Sequence, residues 1–255
     1  MVEMKSRLST LVFVIAILCG LMIVPVAAQS NHTLEWGVDV GEEFIYVLQR
    51  EYYSDPSGRV VMENQLPFLA DIQPGERVIL EVTSLWAIVN QINESSQLPL
   101  SFCSLKRYND SALIDVDLTS FVLPVHDWNF LTKIHNVTTT SGLSLIDTDD
   151  EWGTIGVGTV IGGDGGTVDV RIETRYNKEN GTLSYLRYQY SAWGTDIIDV
   201  VFVHWYQGVP TIIIGGIPLT TTLIIVTSGL ISIIIAFLVY RAIRSRKSII
   251  QKLGE

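Results

Sequence analysis

From Leu219 to Tyr240 the chain runs 22 residues without one charged side chain. Coiled as a helix, that run is about 33 Å long, the thickness of a bilayer's hydrocarbon, so the sequence predicts a transmembrane helix over 219–240. Arg241, Arg244, Arg246 and Lys247 follow at once, with Lys252 further on. Basic clusters are retained on the cytoplasmic side, which makes 241–255 a cytoplasmic tail and puts the chain before residue 219 outside the cell membrane. Pro218 suits a first helical turn, and residues 209–218, with two prolines and a Gly-Gly pair, read as an extended stalk.

The start of the chain agrees with this orientation. Lys5 and Arg7 precede an uncharged run from Leu11 to Val24, followed by Pro25 and the small residues Ala27 and Ala28. This is the layout of a secretory signal peptide over 1–28, cleaved after Ala28; an uncleaved signal anchor is the competing reading. What remains outside, 29–208 and the stalk, holds 10 Lys and Arg against 25 Asp and Glu. A net charge of −15 repels nucleic acid, which is excluded as a partner.

Five of the nine asparagines open the pattern Asn, any residue but Pro, Ser or Thr: Asn31, Asn93, Asn109, Asn136 and Asn180. With 40 Ser and Thr in 255 residues, chance gives about 1.4 such patterns, so an exported, N-glycosylated surface is expected. Once the signal is removed Cys103 is the one cysteine left, and no internal disulfide can form. It stands in the apolar stretch Leu98 to Leu105 and reads as an inert buried thiol, with an intermolecular disulfide as the alternative.

The outside domain reads as strands. In Val168 to Tyr176, apolar and aromatic residues alternate with Asp169, Arg171, Glu173 and Arg175, the period of a half-buried strand. Leu183 to Tyr190 returns as a second strand after a loop in which Gly181 can take the positive φ of a bulged turn. Further strands are expected at 43–53, 60–63, 77–92, 100–108, 113–117, 153–161 and 197–206, and one helix at 124–134, where Val125, Trp128, Leu131 and Ile134 recur every third residue. The expected fold is mainly β (α+β), a curved antiparallel sheet or half-barrel with one packed helix; a two-sheet β-sandwich is the alternative. Trp-Gly pairs recur at Trp36, Trp152 and Trp193, and the echo of Trp36–Val40 in Trp193–Ile197 hints at a duplicated strand start.

The segment Trp36 to Tyr46 (WGVDVGEEFIY), together with Asn180 to Tyr190 (NGTLSYLRYQY), resembles archaeal surface proteins of the choice-of-anchor S type. That resemblance implies a surface address, a β-rich ectodomain and a C-terminal anchor; it implies no catalytic residues. The hairpin pattern is also similar to half-barrels that carry lipid or lipoprotein.

Chemistry is sparse in this sequence. The histidines at 32, 126, 135 and 204 have no metalloprotease spacing, no serine lies in a Gly-x-Ser-x-Gly elbow, and Cys103 has no neighbouring histidine. His126 beside Asp127 could be a base with its orienting carboxylate, or simply the start of a helix. Asp147, Asp149, Asp150 and Glu151 put four carboxylates in five residues, a density that can hold calcium outside a cell; a solvated acidic turn is the plainer reading. No other cofactor is expected. Tyr185, Tyr188, Tyr190 and Trp193, with Phe44, Tyr46, Tyr52 and Tyr53, fill the core or line an apolar-ligand or glycan surface. In the anchor, Ser228, Ser232 and Ala236 recur every four residues, a small-residue face along which two helices could form a homodimer. The expected function is a non-catalytic surface module, binding a surface protein or glycan or forming part of the envelope. The alternatives are a carrier for a lipid or other apolar ligand and a membrane-tethered hydrolase.

Overall fold

The computed structural model describes residues 31–162, 165–214, 217–218, 221, 223–235 and 237. The expected signal peptide (1–28), the basic tail (241–255) and Ala236 lie outside them, as does part of the expected span 219–240. Nine strands form one antiparallel sheet: β1 (Glu43–Tyr53), β2 (Arg77–Leu85), β3 (Ser101–Arg107), β4 (Leu113–Leu118), β5 (Leu143–Asp147), β6 (Glu151–Ile161), β7 (Thr167–Asn177), β8 (Leu183–Ala192) and β9 (Thr195–His204). Their order is β4-β3-β2-β1-β9-β8-β7-β6-β5. The chain thus begins in the middle of the sheet and works outward to β4. It then crosses through 119–142 to the far edge and returns strand by strand until β9 pairs with β1. The sheet is curved and does not close. The sandwich alternative is therefore overturned: the strands that could have formed a second layer extend the first one instead.

Two sequence expectations fail for identifiable reasons. Residues 60–63, read as a strand from their β-branched pair, belong to helix α1 (Pro56–Gln65). Asp55 caps that helix by accepting from Ser57 N at 2.8 Å, and Pro56 takes the first turn, where its missing N–H costs nothing. Met62 is the side chain it buries, whereas Val60 and Val61 face solvent. The expected helix 124–134 is shorter, α2 (Trp128–Ile134), because its cap is Asp127 and not the proline. Before it the backbone is strand-like: Val125 bridges Glu35, and His126 has φ 75°.

One face of the sheet carries the main core. Tyr46 stacks on Phe202 with centroids 5.2 Å apart, Phe121 packs against both rings, Phe68 packs against Phe202 and Phe121, and Tyr46 Oη donates to the Leu183 carbonyl at 2.7 Å. Further along, Trp152 of β6 lies against Trp128 of α2 and donates its Nε1–H to Thr132 Oγ1 at 2.8 Å, which seats the helix on the sheet. Burial of these rings is the principal favourable term in the fold.

The opposite, outer face carries a small second cluster of Val47, Val201 and Val203, covered by Tyr185, Trp205 and Val209. Residues 205–213, which include the first part of the expected stalk, lie against this face. Trp205 Nε1 donates to the Val209 carbonyl at 3.0 Å, the Arg77 guanidinium sits over the Trp205 ring, and Gln49 Nε2 donates to the Pro210 carbonyl at 2.5 Å. A short hairpin, β10 (Ile213–Ile214) with β11 (Ile217–Pro218), follows. Residues 223–235 are helical. Among the described residues no helix is long and apolar enough to cross a membrane.

Candidate functional site

The sheet's outer face is polar, but two of its acids, Glu173 and Asp199, are buried. β7, β8 and β9 present Arg171, Glu173, Arg175, Arg187 and Asp199 there, in register: Glu173 lies opposite Arg187 and Arg175 opposite Tyr185. Asp199 accepts from Arg187 Nε at 2.8 Å and pairs with Arg50 Nε at 2.6 Å. Glu173 accepts from Arg171 at 3.0 Å and Arg175 Nε at 2.8 Å, and Arg175 reaches on to Glu151 at 3.2 Å. Burial pushes the Glu173 carboxyl up, but the hydrogen bonds from Arg175 and Arg171 outweigh it and hold it below its ordinary value. Arg50, Arg171, Arg175 and Arg187 on this surface thus each have an anion, while Arg77 lies over the Tyr108 and Trp205 rings.

The largest cleft described, about 850 Å³, lies beside the end of β1 and is lined by Glu51, Arg59, Asp71, Glu76 and Arg107 among others. Burial raises the Glu51 carboxyl above its ordinary value, against the opposing pull of the Tyr53 hydroxyl and Arg59. Burial and the neighbouring Glu51 in turn raise Tyr53. This is a polar, open cleft with one acid disposed to keep its proton, suited to a small polar group.

The residues singled out from the sequence are dispersed by the fold. Asp147 is paired with Lys178 Nζ at 2.5 Å, and Glu151 is held by Arg175 and by Ser184 Oγ at 2.7 Å, while Asp149 and Asp150 point to solvent. Among the described residues no three His, Cys, Asp or Glu side chains are grouped to hold a metal. His126 is exposed, and both carboxylate oxygens of Asp127 accept backbone N–H groups, from Phe130 at 3.0 Å and Thr33 at 3.2 Å. That carboxylate caps a helix and is not arranged to orient an imidazole. Cys103 is fully buried in β3, its thiol pushed up to about 12 by burial.

Of the sequon asparagines, Asn31, Asn93, Asn109 and Asn136 are exposed. Asn180 is half-buried and spends its Oδ1 on the N–H and hydroxyl of the buried Thr182. Asn31, Asn93 and Asn136 border one groove of about 500 Å³. Ser228 and Ser232 lie on the 223–235 helix with their hydroxyls donating back to its own carbonyls, at 3.0 Å to Ile225 and 2.8 Å to Ser228. The aromatics divide: Tyr46, Tyr176 and Tyr190 are core, Tyr185 lies under Arg175 on the outer face, and Trp193 is bare. The three Trp-Gly pairs share no geometry. Trp36 donates to the Trp86 carbonyl ahead of β1, Trp152 is buried within β6, and Trp193 is the tip of the β8–β9 turn.

The sequence named Trp193 among aromatics of core or ligand surface but not as the tip of a turn, and it did not mark Glu51 as a perturbed acid. A signal for the first was present, since Trp-Gly stands between two alternating strands where Asn-Gly is the usual pair. No local signal marks the second, whose burial is made by α1. Compared with protein-family models, curated proteins and solved structures, the chain has no match.

Proposed function

We propose that the chain is an exported, single-pass surface protein whose glycosylated β-domain binds a partner at the cell surface, or forms part of the envelope, without catalysis. One observation carries this reading. On the helix over 223–235, Leu223, Ile224, Ile225, Val226, Leu230 and Ile231 all stand at least half exposed, within an uncharged run of 22 residues. Bare side chains of that size and number are stable only in a lipid or protein surround. The flanking basic cluster, the N-terminal signal pattern, the five sequons and the resemblance to choice-of-anchor S surface proteins support the same reading.

The carrier alternative needs an apolar space beneath the sheet, and Tyr46, Phe68, Phe121 and Phe202 fill that space themselves. The hydrolase alternative needs an assembled base, and Asp127 is committed to a helix cap. To test the anchored reading, the full chain and a chain ended after Pro218 are expressed in cells that export them, and membranes are washed with alkaline carbonate. The full chain should stay with the membranes and the shortened one should appear in the medium. Equal release of both would overturn the reading.

A further inference from the structure

Two hairpin tips stand level at one end of the sheet. Ile161 pairs with Thr167 at the β6–β7 tip and Ala192 with Thr195 at the β8–β9 tip, and the Asp169–Ser191 pair between them fixes their common height. The β8–β9 turn is Trp193–Gly194, with φ 54° and 77°. Left-handed φ at both central positions is the type I′ geometry, whose first position favours Asn, Asp or Gly; a bulky ring there is strained. The same indole is 93% exposed and Ile161 is 83% exposed, the two barest large apolar side chains among the described residues. Val157, on the same side of β6 as Ile161, extends the patch along the strand. Trp193 is thus unfavourable both for its turn and for its solvation, the double violation expected where a side chain is kept for a contact.

We propose that this end of the sheet faces the bilayer, with Trp193 and Ile161 seated at the boundary between lipid headgroups and acyl chains. The inference rests on the anchored reading above. Tryptophan, with an apolar body and one N–H, partitions to that boundary. None of the five sequons lies in either tip. Asn180 is in the β7–β8 turn at the opposite end, and the groove bordered by Asn31, Asn93 and Asn136 lies at that opposite end too, beside α2, which packs on Trp152 near the start of β6. Glycans on those four asparagines, which cannot enter a membrane, would stand away from it; Asn109, in the β3–β4 turn, is at the tips' own end of the sheet but four strands from β8. The chain also comes back toward this end: after β9 it returns over the outer face, where Ile213 lines a cleft with Arg187, Asp196 and Asp199. Residues 159–169 and 191–196 contain no Lys or Arg, so anionic headgroups would find no cation there and the contact calls for zwitterionic lipid.

The test uses the full chain in vesicles of zwitterionic phospholipid brominated near the headgroup end of the acyl chains. All six tryptophans precede residue 219, so quenching reports the domain and not the span. Bromination should lower the emission of the wild-type chain and of Trp86→Phe, and most of that loss should vanish in Trp193→Asn and shrink in Ile161→Ser. In detergent, Trp193→Asn should melt higher than wild type, because asparagine suits the turn. Quenching unchanged by Trp193→Asn, or absent in a chain that still floats with the vesicles, would overturn the membrane-facing tip and leave the anchored reading standing. A chain that does not float with vesicles at all would overturn both. Emission lowered equally by brominated and unbrominated vesicles would show that no tryptophan lies near the bromines and would likewise overturn the membrane-facing tip.

Discussion

Asp199, only 2% exposed in the middle of the outer face, sits between two arginines: Arg187 donates to it at 2.8 Å and Arg50 pairs with it at 2.6 Å. β8 and β9 fix Arg187 and Asp199, and the bulge between Leu48 and Arg50 of β1 brings the second guanidinium across. Removing one member of a buried ionic group leaves the others uncompensated. Asp199→Asn should therefore lower stability by about 3 kcal/mol in urea denaturation. Glu63→Gln, which breaks the exposed Arg59–Glu63 pair, should change it by less than about 1 kcal/mol. Equal small effects would mean that water screens the Asp199 group as well.

Glu51 and Glu173 are shifted in opposite directions, and their pH signatures should differ in sign. Burial raises Glu51, so its protonated form stabilises the fold below the ordinary carboxyl value of 4.5, and that contribution is lost as pH rises through the raised folded value. Glu51→Gln should be more stable than wild type at pH 7, the two converging below pH about 4. Glu173, held below its ordinary value by Arg175 and Arg171 in spite of its burial, contributes stability above that value and loses it as pH falls. Glu173→Gln should be less stable at pH 7, and the gap should narrow in acid. Thermal melts at both pH values measure each; the same sign for both variants would contradict the assignment.

Gly181 closes the β7–β8 turn at φ 76°, and a Cβ there would overlap the Leu123 carbonyl oxygen. Leu123 N in turn donates to the Gly181 carbonyl at 2.9 Å, so the crossing segment 119–142 is pinned at this turn. Gly181→Ala should lower stability by about 2 kcal/mol or more while leaving the Asn180 sequon intact. A variant as stable as wild type would show that the crossing segment is free to move away.

Calcium should stabilise the domain no more than magnesium at equal ionic strength. Asp147 is occupied by Lys178, and Glu151 by Arg175 and Ser184. Both cations should raise the melting temperature modestly by screening a net charge of −15. A rise specific to calcium that Asp147→Asn and Asp149→Asn abolish would restore a calcium loop.

Strand alternation made much of the sheet legible. The bounds expected for β1 are those found, and the β7–β8 hairpin appears with its bulge and with Gly181 in the left-handed region. β5 escaped because it is a half-exposed edge strand running into the acidic turn, so its pattern carries little apolar contrast. α1 was hidden by Val60 and Val61, whose β-branching outweighed the Asp-Pro start; that side-chain type reports strand preference only where the residue is packed, and these two are not. The order of strands could not be read, because pairing β9 with β1 is decided by the crossing segment and by contacts about 150 residues apart. The charged alternation in β7 read as a half-buried strand, but its pattern does not show that Glu173 on the polar side is itself buried, covered by Arg171 and Arg175 of the same strand.

The central claim is that the β-domain lies outside the cell on a single span. Intact cells and permeabilised cells are treated with protease, and residues 31–208 and 241–255 are followed separately by mass spectrometry or by epitopes. The account predicts that the domain is cut equally in both, while the basic tail is cut only after permeabilisation. A domain protected in intact cells, or a tail cut in them, would contradict it.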